Sequence, residues 1–221
     1  MPRILLINPN TSAATTQLML AIARASAPAG IEVEAATAAH GPSMITTADE
    51  LEHAASEVMA IANRTAAAFD GIVIAAFGDP GLEALRQTLA MSVVGIGEAA
   101  MLEAAEGRSF GVATVTPGLA AATAAMATRL GLADRYTGIR LTEGDPQALA
   151  ASPDGLENAL AKAVRACIEL DHAEAVVIGG GPLGRAATAL APRFAAPIIA
   201  PIPAAIRRMI RMLTYGRLLA P

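Results

Sequence analysis

IVIAAFGDPGL (72–82) holds the local pattern from which the architecture of the chain can be read. A continuous apolar run, rich in β-branched residues, breaks within a few positions into Gly-Asp-Pro-Gly. That is the pattern of a strand buried on both faces, feeding a tight turn that opens a helix. Three other stretches repeat the unit. RILLIN (3–8) runs into Asn8-Pro9-Asn10-Thr11-Ser12, FGVATV (110–115) into Thr116-Pro117-Gly118, and EAVVIG (174–179) into Gly180-Gly181-Pro182-Leu183. IEVEAA (31–36), SVVGI (92–96), YTGIRL (136–141) and PIIAP (197–201) complete a set of eight predicted strands.

Helical patterns fill the gaps. Thr47-Ala-Asp-Glu50 reads as a capping box ahead of Leu51, Ala55, Val58, Met59, Ala62 and Ala66 at helical spacing. Asn10 or Thr11 is expected to cap a helix carrying Leu18 and Ile22. Asp79 before Pro80, and Thr116 before Pro117, place a cap residue ahead of a proline at the first helical position. Asp154 is expected to cap a helix bearing Leu156, Leu160, Val164 and Ile168, and a last helix is expected around 203–214. Alternation of this kind implies βαβ units with right-handed crossovers.

The strands also repeat as a set. Starts near 3, 31, 72 and 92 recur near 110, 136, 174 and 197, an offset of 102 to 107 residues. The expected fold is therefore α/β, with two pseudo-symmetric lobes. Each is a mainly parallel four-stranded sheet flanked by helices, and the active-site cleft lies between them. Lobe 1 comprises 1–97 plus 205–221, lobe 2 comprises 98–204, and GEAAMLEAAEGRS (97–109) is the expected crossover.

Composition excludes several function classes. Apolar residues make up 54% of 221, ample for a large core, while charged residues are only 16%, which suggests surface buried in a homo-oligomer. A net charge of −4 and 3% aromatics argue against nucleic acid as a partner. The N-terminus MPRILLINPN lacks the form of a secretory signal, and AAPIIAPIPAAI is too short and too proline-rich to span a bilayer. A cytoplasmic protein without membrane contact is expected. A single cysteine, Cys167, removes disulfide and CxxC metal frameworks, and no metal or cofactor is expected. Gly179, Gly181 and Gly184 fit G-x-G-x-x-G formally, but Pro182 interrupts the motif and the acidic residue of a dinucleotide site is missing.

Chemistry is expected at the four turns. Ligands in open α/β sheets bind beyond the carboxyl ends of the strands, and amide N–H groups at helix N-termini favour a negative or strongly polar group. A two-fold axis aims two turns from each lobe into one hollow that holds a small anion or a cyclic ureide. The expected contact residues are Asn10, Thr11, Ser12, Thr46, Phe77, Gly78, Thr114, Thr116, Gly180, Gly181 and Pro182. Asp79, Glu98 and His40 are weak candidates for acid–base work; capping suits Asp79 equally well, and a first-turn charge suits Glu98. His53 and His172 read as surface residues. Cys167, on one helical face with Leu160, Val164 and Ile168, reads as a small core residue.

INPNTS (7–12), IVIAAFGDPGL (72–82), VVGIGEAA (93–100), FGVATVT (110–116) and VVIGGGPLG (176–184) resemble the aspartate/glutamate/hydantoin racemase superfamily, and within it the hydantoin and allantoin racemase branch. The resemblance implies cofactor-independent proton exchange at a carbon next to a carbonyl, performed by two cysteines on opposite faces of the substrate. The positions it assigns to those cysteines hold Ala76 and Gly180 here, so the catalytic residues are unknown. Three readings follow. The first is a racemase- or isomerase-like enzyme for a small carboxylate or hydantoin-type cyclic ureide. The second is a non-catalytic binding protein on the same scaffold. The third is a decarboxylase or hydrolase that uses non-cysteine groups, such as a water held by Thr11, Thr46 or Thr116.

Overall fold

The computed structural model describes residues 1–218; residues 219–221, assigned above to the first lobe, lie outside the described residues. The chain runs β1 (Arg3–Asn8), α1 (Ala13–Ser26), β2 (Glu32–Thr37), α2 (Ala48–Thr65), β3 (Gly71–Ile74), α3 (Leu82–Thr88), β4 (Ser92–Gly95) and α4 (Ile96–Ala104). It continues through β5 (Phe110–Thr114), α5 (Ala120–Arg129), β6 (Tyr136–Leu141), α6 (Pro146–Ala150), α7 (Pro153–Glu169), β7 (Ala175–Ile178), α8 (Gly184–Leu190), β8 (Ile198–Ile199) and α9 (Pro201–Leu218).

The strands form two four-stranded sheets of identical order, β2-β1-β3-β4 and β6-β5-β7-β8. Every pairing in both is parallel. The inner strands β3, β5 and β7 are buried along their whole length, whereas the edge strands β2 and β6 are mostly half-exposed. Unbroken Val/Ile runs therefore stand at the sheet centres and mixed sequences at the edges, as covered parallel sheets require.

Several predicted boundaries move, each for a local reason. The cap of α1 is Ser12, whose side chain accepts the Thr15 N–H, and not Asn10 or Thr11. Asn10 is engaged one step earlier, its Oδ1 accepting from the Ser12 N–H and from Asn8 Nδ2. The cap of α7 is Ser152, with Pro153 at the first helical position, which leaves Asp154 in the first turn. The expected Asp79 cap does not form, because α3 begins only at Leu82, after the left-handed Gly81. Thr116 stands ahead of Pro117 as expected, but its side chain makes no capping bond and the proline opens a single 3₁₀ turn. The capping box of α2 forms as read, between Thr47 and Glu50.

The core is shared between the sheets. One apolar cluster runs from Ile4, Met19 and Val73 of the first sheet's side, through Ile96 and Met101 of α4, to Phe110 and Val177 of the second, and on to Ile202, Ile206 and Met209 of α9. Helix α9 returns from the second sheet and packs on α4, α1, β4 and β3. Separate clusters cover the outer faces of each sheet. Because the central cluster belongs to both sheets, their relative position is set by close packing rather than by a flexible hinge. Among the described residues no helix is long and apolar enough to cross a membrane.

Ile206, fully buried where α9 meets this cluster, tests that sharing. Ile206→Ala is expected to cost about 2–5 kcal/mol in urea unfolding, with both sheets melting in one transition. A loss of only the C-terminal helix, with the remainder unchanged, would contradict a common core.

Candidate ligand-binding cleft

A cavity of about 320 Å³ lies where the carboxyl ends of the two sheets face each other. All four central strands contribute to its wall: Asn10 after β1, Ala75, Ala76 and Phe77 after β3, Val115 and Thr116 after β5, and Gly179, Gly180, Gly181 and Pro182 after β7. The order 2-1-3-4 places the reversal of connection between β1 and β3, and the same holds for β5 and β7. The cavity therefore sits at two switch points set face to face. Among the described residues the amide N–H groups of Ala76, Phe77, Gly78, Thr116 and Gly181 have no acceptor within the chain. Among the described residues polar side chains reach the wall only from Asn10, Thr15 and Thr116; the other side chains there include Leu18, Met19, Met44, Ile45, Leu51, Leu119, Leu156 and Leu183. Such a wall suits a small molecule with one polar head and an apolar substituent.

Five of the expected contact residues support the wall without lining it. The Thr11 N–H donates to Pro42 O (3.0 Å). Ser12 caps α1. The N–H and hydroxyl of Thr46 are taken by the Glu50 carboxylate (2.7 and 3.0 Å). Gly78, at φ +132, packs its Cα against Leu51. The Thr114 hydroxyl donates to Gly179 O (2.5 Å), tying the ends of β5 and β7 together. Thr46 also lies so close to Gly118 that a Cβ there would strike its carbonyl. The segment between β2 and α2 thus spans both halves, and it brings Met44 and Ile45 over the cavity.

None of the three acid–base candidates reaches the cavity, which corrects the sequence reading. The His40 side chain is 83% exposed and pairs with Glu57 (3.0 Å). Glu98 is buried but forked by Arg86 (2.8 and 2.9 Å), with Arg208 at 3.3 Å. Asp79 caps the remote helix α4 instead of α3, its Oδ1 accepting from the Gly97 N–H (2.8 Å) and its Oδ2 from the Glu98 N–H (2.6 Å). Burial pushes the Asp79 carboxyl from its ordinary 3.8 up to about 7, against the two amide bonds that favour the charged form. Cys167 is buried beside Val112 O (3.7 Å), and burial raises its thiol to about 12, so it is no nucleophile.

The two positions that the resemblance assigns to cysteines face the same hollow. Ala76 and Gly180 both line it. Gly180 has an extended φ of 167, which any residue adopts. A Cβ there would meet only the movable tip of Leu183, at 2.9 Å. Gly181 differs, since a Cβ would come within 2.6 Å of Met19 Sδ and 3.4 Å of Ala75 O. The sequence carries no separate signal for the apolar wall. Leu18 at helical spacing reads as core, and nothing in Met44-Ile45 distinguishes a cavity wall from packing.

Fold and cleft together define an α/β protein of two like-built halves with a cavity between them. The chain belongs to the Asp/Glu/hydantoin racemase family, whose model matches residues 4–209. It is 27% identical over 217 residues to the hydantoin racemase of Paenarthrobacter aurescens, covering 97% of this chain and 92% of that protein. Allantoin racemase from Klebsiella pneumoniae superposes with a TM-score of 0.91 at 29% identity, covering 98% of this chain and 89% of that one. For allantoin racemase from Pseudomonas fluorescens the TM-score is 0.92 at 26% identity, covering 97% and 92%.

Two outcomes follow. Gly180→Cys is expected to lose less than about 1.5 kcal/mol, and Gly181→Ala about 1–3 kcal/mol, in thermal or urea unfolding; the reverse order would contradict the packing given above. The raised carboxyl of Asp79 means that the native chain binds a proton the unfolded chain has released. Its stabilising contribution is thus fully present below about pH 4 and is lost as pH rises through about 7. Between about pH 5.5 and pH 8.5 the natural chain should lose about 2 kcal/mol that Asp79→Asn does not lose. Parallel stability profiles would show that Asp79 titrates as an ordinary exposed acid.

Proposed function

We propose that the cleft binds a small hydantoin-type cyclic ureide carrying an apolar substituent, and that it does so without the two-thiol proton exchange of a racemase. One observation carries this reading: among the described residues no titratable side chain lines the cavity, although Ala76 and Gly180 stand in it. Removing a proton next to a carbonyl needs a positioned base whose pKa is matched to the task. Asn10, Thr15 and Thr116 offer hydrogen bonds and no such base. The same lining favours a neutral heterocycle over an amino-dicarboxylate. Carbonyl oxygens of a ureide need only N–H and O–H donors, whereas extra charges would enter an apolar hollow without a counter-ion. A small monocarboxylate held by the free amides is the variant of this reading that the same amides support. Similarity to hydantoin and allantoin racemases points to the same ligand class.

An isomerase-like enzyme is the second reading, favoured by the three polar side chains, which could hold a water as the proton carrier. Calorimetry with 5-benzylhydantoin, allantoin, phenylacetate and glutamate, together with NMR of the hydantoin 5-proton in deuterated water, separates the two. Binding of 5-benzylhydantoin at least about tenfold tighter than glutamate is expected, with deuterium exchange no faster than without protein. Exchange above that background would overturn the non-catalytic assignment. Absence of binding across the panel would overturn the ligand class.

A further inference from the structure

We propose that Asp79 is a positioning residue for the cavity: its carboxylate ties the turn that carries Ala76 and Phe77 to the first turn of α4, the helix joining the two sheets. The proposal rests on the cleft being the ligand site and adds how its wall is held and regulated. Asp79 is only 5% exposed. It adopts a left-handed φ of 53, a backbone state that side chains other than glycine rarely take. A strained, buried carboxylate persists only where its surroundings over-determine it.

Those surroundings are specific. Its two oxygens accept separate N–H groups, from Gly97 and Glu98, at 2.8 and 2.6 Å. A Cβ on Gly95 would fall on the carboxylate itself, and one on Gly97 would lie 3.2 Å from Oδ2. The glycines of GIGE thus leave the seat that the aspartate of FGDPG fills. On the other side, the Asp79 N–H donates back to Ala76 O (3.0 Å), so the turn closes directly onto the cavity wall. The amides of Ala76, Phe77 and Gly78 then stand free of chain acceptors among the described residues.

Charged groups of α3, α4, α5 and α9 stand around this seat. Glu98 lies beside it on α4, held by Arg86 of α3 and Arg208 of α9, and Arg129 of α5 contributes an opposing field. The ionised carboxylate accepts both amides fully, and the protonated acid gives up part of one bond. Burial brings that exchange close to neutral pH. The turn therefore tightens as Asp79 ionises and slackens as it is protonated, and the cavity wall follows.

The test uses the full chain labelled with ¹⁵N. Between about pH 5 and pH 9 the amides of Phe77 and Gly78 should shift with the same midpoint as those of Gly97 and Glu98, and all four should be flat in Asp79→Asn. In that variant 5-benzylhydantoin should bind about tenfold more weakly, the equivalent of one lost hydrogen bond, with the circular dichroism spectrum unchanged. Turn amides that do not follow the shifts of the Gly97 and Glu98 amide signals, or a folded variant with unchanged affinity, would overturn the positioning role. Should Asp79→Asn not fold, the titration of the natural chain decides alone. If the amides titrate together but no hydantoin binds, the ligand assignment fails and the positioning of the turn stands.

Discussion

In each parallel sheet the connections leave the central strand pair in opposite directions, β1 from β3 and β5 from β7. No helix can cover the ends of those pairs, so each sheet carries an open notch at its carboxyl edge. Two copies of that arrangement set face to face turn two notches into one cavity, and the turns after all four strands meet there. The buried cluster shared through α4 and α9 keeps the two notches in register.

That frame explains why the cavity wall is made as it is. A strand that ends in a helix-opening turn presents amide N–H groups and little side chain, and the glycines at 179, 180 and 181 carry this to its limit. Polar recognition is thus built into the backbone and does not depend on charged side chains. The acids near the site have other work. Asp79 holds α4, and Glu98 holds Arg86 and Arg208. What remains facing the hollow is a set of polar groups inside an apolar box, the arrangement on which the proposed binding of a polar ring rests.

Much of this was legible in the sequence because strand and turn signals are local. RILLIN and YTGIRL mark β1 and β6 to the residue, and the internal offset identified the second sheet from the first. Thr47 and Glu50 are three residues apart, so their mutual capping could be read directly. Asp79 could not be read that way. Its partners lie 18 and 19 residues on, across a strand, and its own helix offers the more obvious role. The Arg208 contact with Glu98 likewise exists only after α9 folds back. The apolar wall was hidden for a different reason: Leu18, Met19 and Leu183 obey the same periodicity whether they face a core or a void. Ala76 and Gly180 stand out only through resemblance, since alanine and glycine carry no chemical signal of their own.

On the proposed reading the cleft is a complete binding frame from which only the proton-transfer pair is missing. The double variant Ala76→Cys with Gly180→Cys tests it most directly, through deuterium incorporation at the 5-position of a single-enantiomer hydantoin in deuterated water. Exchange above the protein-free rate is expected in the double variant, and none in the natural chain or in either single variant. Exchange already catalysed by the natural chain would contradict that reading, as would a folded, hydantoin-binding double variant that exchanges nothing.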